Sequence, residues 1–252
     1  MGFIRAGLVV LFIALLSASP DVAAQARDEP CVSLTFEGDD FTVCTARAGE
    51  DGISLSLRGA DGKPHRRLSR LKSDLGEAAG KVRFAMNAGM FDVRGAPIGL
   101  YIENRRQMKA VNTRDGFGNF HLKPNGVFWV GGDGKAHVSA TDAYVAQKPK
   151  PVWATQSGPM LVIDGKLHPK FDDDGDSRHI RNGVGVTEAG DTLFVISDAP
   201  VSFGKLARLY RDQLKCDDAL YFDGAVSSLW APSLGRLDAR RNLGPMVVVT
   251  SP

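Results

Sequence analysis

Short runs in which apolar and polar residues alternate, separated by Gly, Pro, Asn and Asp, fill most of this chain. Alternation predicts strands, because successive side chains of a strand point to opposite faces. It occurs on both sides of a turn-like segment at residues 37–40, which predicts a hairpin. Further strands are predicted at residues 53–58, 82–86, 99–103, 127–130, 137–140, 160–163, 183–187, 193–197, 219–222 and 246–249.

Helical spacing of apolar residues is confined to two segments. The first runs from Leu68 to Ala79 and should end at Gly80. The second should begin after Ser202 as N-cap and run to about Leu214. Many strands, few helices and no Pro/Ser-rich linker predict a single β-rich α+β domain. Its core should be a largely antiparallel or mixed sheet, flanked by a few helices.

The first 26 residues have the pattern of a secretory signal peptide. Arg5 precedes an uncharged apolar run at residues 6–18, and small residues offer cleavage sites at 22–26. The run is too short for a bilayer span, which needs about 20 apolar residues. We therefore expect a signal peptide at residues 1–26, a single domain at 27–252, and a periplasmic or secreted protein without a membrane anchor after cleavage.

The cysteines fit an oxidising compartment. Cys31 and Cys44 lie at the outer ends of the predicted hairpin and can face each other across its strands. We predict a Cys31–Cys44 disulfide, worth roughly 3 kcal/mol in the entropic account of loop closure. Cys216 is then unpaired, either as a buried thiol or as a nucleophile, and the first interpretation is favoured.

Composition excludes several classes of protein. The 252 residues are 43% hydrophobic and 24% charged, values near those of globular domains and unlike those of disordered chains. The net charge is only +2, from 31 basic and 29 acidic residues, so the chain lacks the charge of a nucleic-acid binder. The oligomeric state stays open.

Four segments place polar groups and glycine beside predicted strands. They are NAGMF at 87–91, NFHLKPNG at 119–126, DSRHIRNGVG at 176–185 and YFDGAVSS at 221–228. Singly, each has an ordinary structural interpretation. These are an Asx turn at Asn87, a solvated strand face at 119–126, a surface Arg of the third segment paired with the acidic run 172–174, and an Asp-Gly turn at Asp223. That acidic run could also hold a hard cation, although its spacing does not fit an EF-hand loop.

Together with Gly-Pro at 158–159 and Asp-Gly at 164–165, these motifs resemble the phosphodiester glycosidase family, in its order and spacing, over residues 82–250. The segment 118–128 looks most like the small secreted bacterial members. Two departures occur: the family's Gly-Gly pairs are Ala88-Gly89 and Gly224-Ala225 here, and its Arg-Thr is Arg181-Asn182. The resemblance implies an exported hydrolase that cleaves a sugar-1-phosphate diester at the anomeric carbon. The expected partner is therefore a small-molecule or glycan substrate that carries a phosphodiester.

The resemblance also implies roles for individual residues. Asp223 would stabilise oxocarbenium character or direct water, and Arg181, with Arg178, would hold the phosphate. Asn87 and Ser227 would position sugar or phosphate oxygens. The other substrate-binding candidates are Gly89, Gly158, Asn182, Gly224 and Ser228. Candidates for a second carboxylate are Asp92, Glu103 and Asp176. No cofactor or resident metal is expected, with a bound divalent cation as the alternative.

Two rival functions use the same residues differently. A non-catalytic envelope module could bind anionic glycan through Arg181 and the glycine loops without an acid or base. A metal-dependent phosphodiesterase would cut P–O instead of C–O, but it needs metal ligands, and the chain has only five His, none of them arranged as a ligand pair.

Overall fold

Three antiparallel sheets form this protein. The computed structural model describes residues 29–239 and 241–252, and the predicted signal peptide lies outside the described residues. Seventeen strands and three α-helices occur in this described part, so the prediction of a single β-rich α+β domain is confirmed. The strands are β1 (Cys31–Phe36), β2 (Asp39–Ala46), β3 (Gly52–Ser56), β4 (Val82–Asn87), β5 (Tyr101–Glu103), β6 (Arg106–Lys109), β7 (Gly126–Val130), β8 (Ala136–Ala140), β9 (Trp153–Ser157), β10 (Met160–Ile163), β11 (Lys166–Leu167), β12 (Asn182–Thr187), β13 (Thr192–Ser197), β14 (Cys216–Tyr221), β15 (Leu229–Ala231), β16 (Arg236–Leu237) and β17 (Met246–Thr250).

Strand order connects distant parts of the chain. The first sheet has seven strands in the order β1-β2-β13-β12-β14-β10-β11. The second has the order β16-β15-β4-β17-β3, and the third has the order β6-β5-β9-β7-β8. Strands β12 and β14 are neighbours although a helix separates them in sequence, and β4 lies between β15 and β17. These pairings bring three of the four motif segments together.

The first hairpin has the predicted disulfide. Glu37 and Gly38 both have positive φ (47° and 78°), as a two-residue turn matched to the twist of a hairpin requires. Cys31 is directly opposite Cys44, and their sulfurs are 2.06 Å apart. The third cysteine, Cys216, is a buried free thiol, and burial raises its pKa to about 12.

The helices differ in length from the predictions. They are α1 (Leu68–Leu75), α2 (Thr141–Gln147) and α3 (Phe203–Arg208). Helix α1 ends before Gly80, because Gly76 takes φ 54° and donates its N–H to Ser73 O; a 3₁₀ segment continues to Lys81. Ser202 is the predicted N-cap of α3, its Oγ accepting from Lys205 N at 3.1 Å, and a π-helical turn extends to Gln213. In the described part, no helix has the length and apolarity to cross a membrane.

A hydrogen-bonded row fastens α1 to the edge strand β3. His65 Nε2 is 2.9 Å from Ser56 Oγ, and His65 Nδ1 is 2.8 Å from Asp74 Oδ2. Arg70 donates to the same carboxylate at 2.8 Å. Ser56 lies within a strand, without the strand-to-helix elbow of a hydrolase nucleophile, so we interpret the row as a structural brace.

Four buried phenylalanines join the three sheets. Phe194 of the first sheet is 5.4 Å, between ring centroids, from Phe84 of the second and 5.7 Å from Phe128 of the third. Phe222, which follows β14, is 6.2 Å from Phe128. We call these four residues the phenylalanine cluster. Because Asp223 follows Phe222, the cluster fixes the backbone from which Asp223 projects.

Candidate active site

Three strand ends meet at one edge of the molecule. Asn87 is the last residue of β4, Asn182 is the first residue of β12, and Asp223 follows β14 by two positions. The antiparallel pairing of Gly183 with Tyr221 aligns the last two of these ends. The first, third and fourth motifs of the sequence are therefore adjacent in space, although up to 141 positions separate their hydrogen-bonded residues.

The two asparagines form a closed hydrogen-bonding network. Asn182 Nδ2 donates to the main-chain and side-chain oxygens of Asn87 at 2.9 and 3.1 Å. Asn87 Nδ2 donates to Asp223 O at 3.0 Å and to Asn182 Oδ1 at 3.4 Å, while Asn87 Oδ1 accepts from Ser228 N at 2.8 Å. Both side chains are buried and their polar groups are used within the protein. The pair braces the site here, and a contact of Asn87 or Asn182 with substrate stays a prediction.

The two serines hold a short turn against this network. Ser227 Oγ lies 2.8 Å from Ile180 O and 3.1 Å from Asn182 Oδ1, so its single proton is committed to these oxygens. Ser228 Oγ donates to Val226 O at 2.8 Å. Ser227 keeps free lone pairs, but in this arrangement it offers a ligand no proton.

Asp223 caps the 3₁₀ turn Gly224–Val226. Its Oδ1 accepts from Ala225 N at 3.2 Å, and its side chain is half-buried. Burial raises the pKa of this carboxyl, and the Ala225 hydrogen bond only partly offsets that rise. Beside it is a cavity of about 180 Å³, lined by Ile180, Gly224, Ala225, Val226, Ser227 and Arg241.

Arg181 lies beneath this turn instead of in the cavity. Its side chain is fully buried, with the guanidinium carbon 3.5 Å from the ring centroid of Phe203. Nε donates to Val201 O at 2.9 Å, and Nη2 donates to the carbonyl and hydroxyl oxygens of Ser177 at 2.6 and 3.1 Å. Nη1 is 3.3 Å from Tyr221 OH. Burial lowers the pKa of Arg181, and no carboxylate pairs with it in the described part of the chain.

Tyr221 connects this buried cation to the catalytic candidate. Its hydroxyl oxygen accepts from Arg181 Nη1 and, at 2.7 Å, from Gly224 N. Two hydrogen bonds thus link the guanidinium to the residue after Asp223. Arg181 is thus connected to the turn that Asp223 caps, but a shared role at a substrate site and direct contact between Arg181 and a substrate phosphate stay predictions.

Close packing accounts for the three glycines of the predicted site. A Cβ on Gly89 would lie 2.6 Å from Gln156 O, and one on Gly158 would lie 2.6 Å from Asn125 Cβ. A Cβ on Gly224 would overlap the Tyr221 hydroxyl. Each position needs glycine for the fold itself, and contact with substrate at these glycines stays a prediction.

Arg178 lies at the surface and is paired with the acidic run 172–174. It is exposed and forms an ion pair with Asp174 at 2.6 Å, so it does not line the cavity beside Asp223. Arg208 Nη1 donates to Asp173 O at 2.6 Å, which engages the backbone of the acidic run as well. Among the described residues, no group of three or more His, Cys, Asp or Glu is placed to hold a metal ion.

The candidates for a second carboxylate are outside the lining of the cavity. Asp92 Oδ1 accepts from Arg94 N and Ala96 N at 2.9 and 3.0 Å, and the Ala96 hydrogen bond lowers the pKa of Asp92. Glu103 accepts from the Tyr101 hydroxyl at 2.6 Å. The third, Asp176, also does not line the cavity, whereas Asp223 directly precedes the lining residue Gly224 and caps the turn that forms part of the cavity wall.

Arg241 was missed in the motif analysis. It lines the cavity, is exposed, and makes no hydrogen bond or ion pair within the described residues. The signal that could have identified it is its position five residues before Met246, which pairs with Asn87. Recognising that signal requires knowing that β17 and β4 are neighbours.

Comparisons with known proteins bear on the family and the fold. A family model described as phosphodiester glycosidase (NAGPA) matches residues 80–250, which confirms the resemblance drawn from the motifs. The uncharacterized protein YigE of Escherichia coli strain K12 is 34% identical over 229 residues, covering 91% of this chain and 87% of YigE.

Two solved structures share the fold. The catalytic domain of zebrafish N-acetylglucosamine-1-phosphodiester alpha-N-acetylglucosaminidase, auto-inhibited by its pro-peptide, has a TM-score of 0.60 at 15% identity, covering 88% of this chain and 81% of that one. A protein of Burkholderia pseudomallei named for its expected export has a TM-score of 0.55 at 12% identity, covering 84% of this chain and 74% of its own.

Proposed function

Because the chain belongs to the phosphodiester glycosidase family, we propose that it is an exported hydrolase which cleaves a glycosyl phosphodiester at the anomeric carbon. The observation that carries this proposal is the half-buried carboxylate of Asp223 beside a cavity whose lining includes Arg241, a guanidinium without a partner among the described residues. A carboxylate suits the sugar end of such a substrate, and a guanidinium suits the phosphate end.

The reaction consumes one water molecule. The bond between the anomeric carbon and the bridging oxygen breaks, and its electron pair leaves with the phosphomonoester. Asp223 stabilises the positive charge that develops on the sugar or takes the proton of the attacking water, and the water oxygen becomes the anomeric hydroxyl. The phosphomonoester is a weakly basic leaving group, so the site needs no strong second acid.

Export is the second part of the proposal. The Cys31–Cys44 disulfide supports it, because such bonds persist in oxidising compartments. The exported hydrolase would then meet phosphodiester-linked sugars of the envelope or the surroundings. The sugar and the aglycone have to be identified by experiment.

Asp223→Asn tests the catalytic role. We expect purified wild-type protein to hydrolyse a member of a panel of glycosyl-1-phosphodiesters, and we expect the variant to lose about 10²–10⁴-fold in kcat while its circular dichroism is unchanged. The substitution keeps the size of the side chain and removes the charge. A variant that turns over at the wild-type rate would exclude Asp223 from the chemistry.

Two further measurements separate this hydrolase from its rivals. In heavy-oxygen water the label should enter the sugar, whereas label in the phosphate would indicate P–O cleavage. A chelator should leave the rate unchanged, and loss of activity would support the metal-dependent phosphodiesterase. Binding of the diesters with no product, equal in wild type and Asp223→Asn, would instead identify a binding module.

A further inference from the structure

We propose that Arg241 binds the phosphate of the substrate and thereby makes the site select anionic diesters. This inference rests on the proposed function and assigns the phosphate contact to a residue outside the recognised motifs. Among the residues that the structure describes, Arg241 is the one charged residue that lines the cavity beside Asp223. Its guanidinium has no partner within the described residues, whereas Arg178 is paired with Asp174.

Four other hydrogen-bond donors around the cavity are already in use. Gly224 N donates to the Tyr221 hydroxyl, Ala225 N donates to Asp223 Oδ1, and Val226 N donates to Asp223 O. The Ser227 hydroxyl donates within the protein as well. For an anion in this cavity, the fork of the Arg241 guanidinium can supply two parallel N–H groups to phosphate oxygens.

The chain holds the backbone next to Arg241 firmly. Leu243 is buried and its N–H donates to Arg66 O at 2.8 Å, while Pro245 O accepts from Ala88 N at 2.9 Å. The segment is thus fixed to the end of β4, close to Asn87. Arg241 precedes Leu243 by two positions and Pro245 by four, so its exposed side chain is kept at the cavity.

The buried Arg181, beneath the turn that lines the cavity, also favours anionic diesters. Its Nε, Nη1 and Nη2 are engaged by Val201, Tyr221 and Ser177, so it acts mainly through its charge. Two guanidinium groups near one carboxylate leave the site with a net positive charge when all three are ionised. This balance favours a singly charged phosphodiester over a neutral glycoside.

Arg241→Gln tests the contact. It keeps a long polar side chain and removes the charge. We expect a loss of about 10–100-fold in kcat/KM for the glycosyl phosphodiester. Inorganic phosphate should bind more weakly by a similar factor in calorimetry. Inhibition by the free sugar product, which is uncharged, should be unchanged. Arg241→Lys should recover part of the phosphate affinity, because it restores the charge without the fork.

Arg106→Gln is the matched control. Arg106 is an exposed arginine on β6, an edge strand of the third sheet, and the variant should behave as wild type in each assay. Unchanged phosphate affinity in Arg241→Gln would overturn the proposal, and so would an equal loss for phosphate and free sugar, which would indicate a structural effect. If the wild type cleaves no glycosyl phosphodiester, the proposed function fails, while phosphate binding still tests Arg241.

Discussion

At the scale of single residues, the site sets one partly desolvated carboxylate against two differently placed cations. Asp223 is half-buried and receives one hydrogen bond from Ala225 N, which is too little to offset its desolvation. Arg181 is fully buried and is stacked on Phe203, while Arg241 is exposed. Because the Asp223 carboxylate is only partly solvated, it can interact more strongly with positive charge that develops on a substrate.

The pH dependence should report this environment. Burial places the pKa of Asp223 above its ordinary value of 3.8 in the folded protein. Because the ionised form is the active one, kcat/KM should fall as the pH falls through that raised pKa. The effect on stability has the opposite sign, because the folded state favours the protonated form of the Asp223 carboxyl. The contribution of Asp223 to stability is fully present below its unfolded-state pKa, and it is lost as the pH rises through its folded-state pKa.

The pH dependence of the rate and the pH dependence of stability can both be measured on wild type and Asp223→Asn. The acid limb of the rate profile should lie above pH 3.8, and urea unfolding should show Asp223→Asn more stable than wild type at neutral pH, with a smaller difference in acid. An acid limb at or below the ordinary aspartate value, or a wild type that is the more stable protein at neutral pH, would contradict this account of Asp223.

The sequence made Asp223 a candidate, but it did not indicate the environment of Arg181. Asp223 follows an apolar strand and precedes glycine, and this local pattern is visible in the sequence. Arginine is usually exposed, so sequence favours a surface role for Arg181. Its burial depends on Val201 and Phe203, some twenty positions away, and no local rule brings that segment over it.

At the scale of elements, local signals were sufficient where one turn decides the structure. The first hairpin was predicted because its turn and its alternating strands are contiguous. Helix α1 was predicted too long, because Gly76 and Gly80 are both suitable ends and only the structure shows φ 54° at Gly76. Strand β6 was missed, since its four residues are all exposed and do not alternate.

The hairpin disulfide gives a prediction at this scale. The double substitution Cys31→Ser and Cys44→Ser should lower the free energy of unfolding by roughly 3 kcal/mol, because the unfolded chain loses its cross-link. Activity should persist, since β1 is an edge strand of the first sheet and does not contribute to the cavity. Urea denaturation with and without reductant measures the effect.

The comparison with and without reductant provides the control for that experiment. Reductant should shift the wild-type midpoint toward that of the double variant and leave the double variant unchanged. Equal midpoints for the two oxidised proteins would show that the cross-link adds nothing to stability.

At the scale of the whole molecule, the site exists because three sheets meet. Asn87 comes from the second sheet and Asn182 from the first, 95 positions apart. From the third sheet, Ser157 Oγ donates to Phe222 O at 2.9 Å, next to Asp223. The resemblance to a family indicated that the motifs converge, whereas periodicity could not. Arg241 stayed hidden because its place depends on the pairing of β17 with β4.

Because the three sheets meet at the phenylalanine cluster, a substitution in this cluster tests whether the sheets unfold as one unit. Phe194→Ala removes a fully buried ring that contacts Phe84, Phe128 and Phe222. We expect a loss of about 3–5 kcal/mol in the free energy of unfolding, in a single transition, because the three sheets share this core. Well below the midpoint, kcat/KM should also fall by about 10-fold or more, because Phe222 loses support beside Asp223.

Two matched truncations separate these effects. Phe117→Ala removes a ring that is 100% exposed and should change neither stability nor activity. Leu71→Ala opens the separate cluster under α1; it should cost about 2–5 kcal/mol and leave kcat/KM nearly unchanged in the folded protein. If Phe194→Ala unfolds in two separated transitions, the sheets are independent units. If instead Leu71→Ala lowers kcat/KM as much as Phe194→Ala does, the catalytic geometry depends on overall stability and not on the phenylalanine cluster beneath Asp223.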